Sequence, residues 1–265
     1  MDLHRRPSRM VEHQTVVTTT EFGVGLDLLR LAPGNSYRLE TPGEEMVLVL
    51  LEGHAHIQVG TQVFEVERES IWTKRATTVY VPPGNSVQVV SESGVEIAIC
   101  RAAWTGNGTV QVVLPSAVKV QERGKDLFQR RVEDIATDQV TAGRLVVGET
   151  YNRPGHWSSY PPHKHDTDDP PHERPMDEVY LFRIRPPSGF AFQGLYTTDG
   201  AMDMAYRVQD GDVVLLPRGY HPVAAAPGYE VYYLWALAGK DRRLTPRTDP
   251  AHAWITMPEL TPPPS

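Results

Sequence analysis

The amino-acid sequence predicts an all-β protein built from two copies of one β unit, and three observations predict it. Short apolar runs rich in Val, Ile, Leu and Tyr recur at 46–52, 56–59, 79–81, 87–90 and 95–99, and again at 178–184, 190–196, 212–216, 221–225 and 230–236. The 23 Pro and 21 Gly among 265 residues punctuate these runs and imply many turns. Few long segments keep a 3.6-residue apolar period, the region around 125–137 being the exception. Such a rhythm belongs to a sandwich or barrel.

Matched segments recur in order. Pro33-Gly34 with Tyr37 resembles Pro154-Gly155 with Tyr160 at an offset of 121, and Glu45-Met-Val-Leu pairs with Glu178-Val-Tyr-Leu at 133. Val81-Pro-Pro-Gly84 then pairs with Leu216-Pro-Arg-Gly219 at 135, and Gly94 with Gly228 at 134. The single jump in offset places an insertion in the second copy, at the Pro/Asp-rich stretch 160–174. The expected organisation is a first repeat over 1–115, a linker over 116–145 with one or two helical turns, and a second repeat over 146–265. The first dozen residues and the final TPPPS read as poorly ordered ends.

Composition narrows the function. Lys+Arg 26 against Asp+Glu 33 gives a net charge of −7, which lacks the basic footprint for nucleic acid. The single cysteine, Cys100, excludes a disulfide framework and a Cys-rich metal site and suits a reducing compartment. The start has no apolar core of an export signal and no stretch approaches 18 apolar residues, so a cytoplasmic protein with no membrane partner is expected.

The second copy gathers metal-type side chains. His163 and His165 lie two apart, so on a strand both face one side while Lys164 points away. Glu178 and His221 would complete a three-His, one-carboxylate set suited to Zn, Mn or Fe, with positions left open for substrate. Glu173, Asp166, Asp168 and Asp169 compete with Glu178 as the carboxylate. In the first copy Glu45 stands where Glu178 does, but Tyr37-Arg38-Leu39-Glu40 occupies the His-x-His region and Ser86 aligns with His221. That copy is expected to bind no metal, and His54-Ala55-His56 is a decoy with no partner His in that copy.

These residues resemble the cupin family, with its motifs G-x5-H-x-H-x3-4-E-x6-G and G-x5-P-x-G-x2-H-x3-N. The chain departs from them in the 12-residue gap between His165 and Glu178, the shorter Pro-Gly-to-His spacing and the missing Asn. At longer range, Ser158-Ser-Tyr-Pro-Pro-His-Lys-His-Asp166 and Pro217-Arg-Gly-Tyr-His-Pro222, with Gly143–Thr150, Glu178–Arg183 and Tyr232-Tyr-Leu234, resemble the 5-deoxy-glucuronate isomerases. These are the bicupin enzymes of bacterial inositol catabolism, related to the zinc bicupin 5-keto-4-deoxyuronate isomerases. The resemblance implies two double-stranded β-helix barrels, one divalent metal, zinc by analogy, and a small sugar-acid substrate; it allows a homo-oligomer. It implies conversion of 5-deoxy-glucuronate to 5-dehydro-2-deoxy-gluconate, an aldose–ketose isomerisation needing a Lewis acid, a base and a cation for the distal carboxylate. Alternation places Tyr180 inside with Glu178 and sends Arg183 outward. Gln193 and Tyr233 are further candidates for the catalytic site, and Arg218, ahead of Lys164, for the substrate carboxylate. A 5-keto-4-deoxyuronate isomerase, a cupin dioxygenase and a non-catalytic sugar-acid-binding bicupin are the rivals.

Overall fold

The structure, a computed structural model, describes residues 1–256; the TPPPS end lies outside the described residues. The first ten strands are β1 (His4–Arg5), β2 (His13–Val17), β3 (Gly25–Leu31), β4 (Asn35–Glu40), β5 (Glu44–Val59), β6 (Gln62–Arg68), β7 (Thr78–Val81), β8 (Ser86–Ser91), β9 (Val95–Ala103) and β10 (Gln111–Val113). The other twelve are β11 (Lys119–Arg123), β12 (Arg130–Ala136), β13 (Leu145–Asn152), β14 (Trp157–Ser158), β15 (His163–Lys164), β16 (Met176–Arg185), β17 (Ala191–Tyr196), β18 (Asp203–Val208), β19 (Val213–Leu216), β20 (Val223–Ala225), β21 (Glu230–Gly239) and β22 (Arg247–Thr248). The only helical elements among the described residues are 3-10 turns, so the all-β expectation holds. The runs at 46–52 and 56–59 form one strand, β5, bent where its register against β9 shifts between Leu50 and Glu52. Gly53 follows at φ 101°, where an added Cβ would lie 2.3 Å from the Gly94 carbonyl oxygen.

Six strands of each half run in the same spatial order. The first sheet reads β10-β7-β5-β9-β3-β2, the second β1-β19-β16-β21-β13-β12 with β11 added at its edge. The equivalence carries one twist. The amino-terminal strand β1 pairs with β19 of the second half, while β10, just ahead of the second copy, pairs with β7 of the first. Although 111–113 falls inside the expected first repeat, β10 holds the place in its sheet that β1 holds in the other and so counts with the second copy, and each copy lends its leading arm to the other. The first dozen residues are therefore not loose ends: His4 and Arg5 sit in register with Val214 and Val213. Likewise 116–145 contains two 3-10 turns, at Pro115–Ala117 and Asp126–Phe128, and the antiparallel hairpin β11–β12 that joins the second sheet.

Alternation sorts the apolar residues into three cores. Leu48 and Leu50 with Val87 and Ile97 fill the first half, and Tyr180 and Phe182 with Leu195 and Val223 fill the second. Val47 and Val49, with Val179, Leu181 and Leu234, pack in a third core shared by both halves. The two main sheets are thus buried on both faces. Arg183 faces the first half, where Glu96 accepts from it at 2.7 Å.

Strand pairing also revises the repeat. Glu178 lies opposite Leu216, and the residue opposite the matching Val81 is Met46. The first-copy equivalent of Glu178 is therefore Met46, inside an apolar core, whereas Glu45 points to the other face. There its carboxylate accepts from Tyr80 Oη at 2.9 Å and from the backbone N–H groups of Gly143, Arg144 and Leu145 at 2.6, 2.6 and 2.8 Å. A one-residue slip exchanges the faces of a strand.

Candidate metal centre and cavity

Three elements bring His165, Glu178 and His221 together: the insertion just past β15, strand β16, and the turn between β19 and β20. Their ligand atoms lie within 4.8 Å of one another, and the side chains are nearly inaccessible, at 5, 4 and 1 % residue exposure. Each imidazole is aimed by its own backbone. Nδ1–H of His165 donates to the Met176 carbonyl at 2.9 Å, and Nδ1–H of His221 donates to the Gly219 carbonyl at 3.0 Å. That leaves the Nε2 lone pairs facing Glu178 Oε2, at 2.9 Å from His165 and 3.4 Å from His221. Imidazoles held in this manner are the usual posture of metal ligands.

The donor set asks for a positive charge. Neutral His165 would put a lone pair against a carboxylate oxygen, so either a proton or a cation must stand between them. Burial disfavours a charged His165, yet the hydrogen bond and charge of Glu178 outweigh it and raise the pKa. His221 differs: burial, reinforced by His163 and His165, pushes it down to about 3, and its Nε2 is buried with no hydrogen-bond partner. A buried unpaired acceptor is costly. Two nitrogens and a carboxylate oxygen converging on one point fit a divalent ion such as Zn, Mn or Fe.

The competing carboxylates are engaged elsewhere. Glu173 accepts from the backbone N–H groups of Asp166 and Thr167 at 2.8 and 2.9 Å and from Lys164 Nζ at 2.8 Å. Asp166 accepts from Gly219 N–H at 2.7 Å, fastening the insertion to the turn that carries His221. Asp168 binds Arg174, and Asp169 binds Arg247, each at 2.9 Å. Glu178 is the acid that stands against the histidines.

His163 is outside the tight group but beside it, its ring edge-on to His221 with centroids 4.8 Å apart. Burial first, then the neighbouring His165 and Arg130, push its pKa down to about 3, so it is a neutral imidazole. The first copy does hold a three-residue group, His54, His56 and Glu65, but it is a surface cluster with Glu65 exposed. The third member of that group is a carboxylate and not a histidine.

A cavity of about 510 Å³ reaches Glu178 and His163 and is lined also by Ser159, Tyr180, Tyr233 and Trp235. Ser159 Oγ and Tyr180 Oη share a hydrogen bond at 3.0 Å, and Tyr233 Oη donates to Ser158 Oγ at 2.8 Å. Burial holds the pKa of both tyrosines above its ordinary value, so each keeps its proton. Gly148 makes room for the Trp235 ring, since a Cβ there would meet it at 1.9 Å.

Of the residues expected for catalysis or substrate binding, three do not line this cavity. Gln193 is fully buried, and its Nε2 donates to the carbonyls of His221 and Pro222 at 2.9 and 3.2 Å, so it steadies the strand behind His221. Arg218 is exposed and lines a separate surface groove of about 470 Å³ together with Lys164. The Lys164 ammonium is spent on Asp166 and Glu173, with distances of 2.5 and 2.8 Å. Alternation turned Lys164 outward, and the tight turn Pro217–Gly219 turned Arg218 outward with it. The cations that do line the cavity are Lys119, Arg123, Arg130 and Arg242. They were not picked out because three of them lie in the stretch read as a linker; the available signal was its density of arginines in an acidic chain.

Known proteins share the sequence and the fold of this chain. Residues 3–255 match the sequence profile of the KduI/IolB family. The chain belongs to the KduI/IolB family. It is 41 % identical over 235 residues to a 5-deoxy-glucuronate isomerase of Geobacillus kaustophilus (strain HTA426), covering 88 % of this chain and 85 % of that one. It is 33 % identical over 251 residues to the 5-deoxy-glucuronate isomerase of Bacillus subtilis (strain 168), covering 93 % of each. The crystal structure of an IolB-like protein from Salmonella typhimurium LT2 superposes with a TM-score of 0.92 at 34 % identity, over 96 % of this chain and 99 % of that one. Oxalate decarboxylase OxdC of Bacillus subtilis superposes at 0.64 and 13 % identity, over 93 % and 79 %, a likeness of cupin fold alone. The chain is accordingly a bicupin enzyme of the isomerase class. No helix among the described residues is long and apolar enough to cross a membrane.

Proposed function

We propose that the protein is a metal-dependent aldose–ketose isomerase that converts 5-deoxy-glucuronate to 5-dehydro-2-deoxy-gluconate in cytoplasmic inositol catabolism. The observation that carries the reading is the buried His165–Glu178–His221 group, with the unpartnered Nε2 of His221, beside a cavity lined by the hydroxyls of Ser159, Tyr180 and Tyr233. His163, His165, Glu178 and His221 would hold one divalent ion, zinc in the first instance. When bound, such an ion supplies Lewis acidity toward the substrate's carbonyl and hydroxyl oxygens.

The chain's own groups supply the rest. Tyr180, protonated and hydrogen-bonded to Ser159, can hold a proton at a substrate oxygen as the carbonyl moves one carbon along. Tyr233, fixed by Ser158, orients the polyol chain, and Gln193 acts through the His221 strand as a positioning residue.

Elemental analysis of the purified protein should find about one divalent metal per chain, and His221→Ala should remove it. The loaded protein should isomerise 5-deoxy-glucuronate in an NMR assay over a panel of uronates, without consuming oxygen. Oxygen uptake in place of isomerisation, or metal retained in His221→Ala but lost in His54→Ala, overturns the reading.

A further inference from the structure

A sugar acid brings a carboxylate into a protein of net charge −7, so the cavity needs a local cation with donors to spare. Each of its four cations can be tested on what it already does. Lys119 is ion-paired with Asp138. Arg242 gives its guanidinium to the carbonyls of Leu145, Val140 and Thr137. Arg123 is exposed and donates to Gln121 at 3.2 and 3.1 Å. Arg130 is half-buried and gives only Nη1 to protein, to the carbonyls of Phe128 and Tyr160 at 3.3 and 3.2 Å. Among the described residues its recorded partners are these two carbonyls and no carboxylate, which is unusual for a cation taken partly out of water.

We infer that Arg130, at the start of strand β12 on the inter-repeat hairpin, is the anchor for the carboxylate of an open-chain sugar acid, with Arg123 as an outer guide. Its free donors at Nε and Nη2 offer the two parallel N–H groups that match a carboxylate, a pairing that a lysine cannot reproduce. Its surroundings agree: Arg130 lines the cavity together with Tyr180, Tyr233, His163 and Glu178. The cation therefore belongs to the same cavity as the candidate metal ligands. A substrate with its carboxylate on Arg130 would present its other end toward Tyr180, Tyr233 and Glu178. This assignment deepens the isomerase reading and rests on it for the identity of the acid, but anion binding can be measured apart from turnover.

The probes are D-gluconate, an open-chain acid with no carbonyl to isomerise, and the neutral polyol D-glucitol, titrated calorimetrically into the metal-loaded protein. The readout is the ratio of their dissociation constants, which loss of folded protein does not move. Arg130→Met should weaken gluconate about tenfold to a hundredfold and leave glucitol unchanged, so the ratio collapses. Arg130→Lys should recover part of it, and Arg218→Gln should behave as the parent protein. A parent-like ratio in Arg130→Met, or a collapse in Arg218→Gln, overturns the inference. If the parent protein isomerises no uronate while the ratio still depends on Arg130, the catalytic reading falls and the carboxylate site stands. Turnover with a ratio indifferent to Arg130 has the opposite meaning.

Discussion

Single residues in this protein owe their roles to which face of a strand they occupy. Glu178 and Met46 hold the same place in the two sheets, one bearing a carboxylate toward two histidines and the other filling an apolar core. Glu45, one position away, is buried with four donors directed at it and clasps the chain at Gly143–Leu145. Its amide replacement offers a single acceptor oxygen to groups that now share two. Glu45→Gln is therefore expected to lower unfolding stability by about 1–3 kcal/mol. A denaturant titration would measure the loss, and metal content should be that of the parent protein. Loss of metal from a folded Glu45→Gln protein would show that the first copy contributes to the site.

At the scale of elements, two segments of the second half build the site. The insertion before β16 carries His163 and His165, and its internal ties through Lys164, Asp166 and Glu173 hold it against the His221 turn. The hairpin β11–β12 brings Arg123 and Arg130 to the cavity. The insertion shows in the sequence only as a jump in the repeat offset, and the hairpin reads there as a charged linker with a 3.6-residue apolar period, although Val132 and Ile135 of β12 are buried in the cores. In the first half the edge pair β2–β3 is tied by charge instead. Asp27 accepts from Arg101 Nε at 2.7 Å and faces His13 Nε2 at 3.3 Å. Burial alone would raise the Asp27 pKa, but His13 and Arg101 outweigh it and lower the value. A carboxyl whose pKa is lower folded than unfolded gives stability that is fully present above its unfolded value of about 4 and is lost as pH falls through the folded value. The melting-temperature gap between the parent protein and Asp27→Asn should accordingly be widest near neutral pH and close below about pH 4. Parallel curves down to acid pH would contradict the assignment.

The whole molecule is held as one piece by exchanged arms and a shared core. Strands β1 and β10 each complete the sheet of the opposite copy, and the core between the halves contains residues of both. Within that core Arg68 of β6 meets Glu149 of β13 through two hydrogen bonds of 2.7 and 2.9 Å, both side chains at 0 % exposure. Tyr232 Oη donates to Glu149 at 2.8 Å, and Arg68 also donates to the carbonyls of Lys74 and Leu50. Removing one member of a buried pair strands the other charge. Arg68→Met should thus cost about 3–5 kcal/mol in chemical denaturation, and adding Glu149→Leu should restore much of it. A cost below about 1 kcal/mol would mean that the pair is open to water.

The sequence by itself determined the all-β class, the duplication and the second copy as the one with histidines, because these rest on local alternation, turn residues and order along the chain. It also placed Tyr180 in the interior with Glu178, since alternation on a regular strand is a local rule. It did not determine which acid faces His165 and His221, that Glu45 lies one residue out of step with Glu178, or that Arg218 and Lys164 turn away from the cavity while Arg130 turns toward it. Those facts depend on pairing between strands far apart in the chain, on the path of a 3-10 turn and on the way one half covers the other. Tertiary structure decided them because strand register and the exchange of arms are fixed by the burial of both sheet faces at once, a condition that no short stretch of sequence carries.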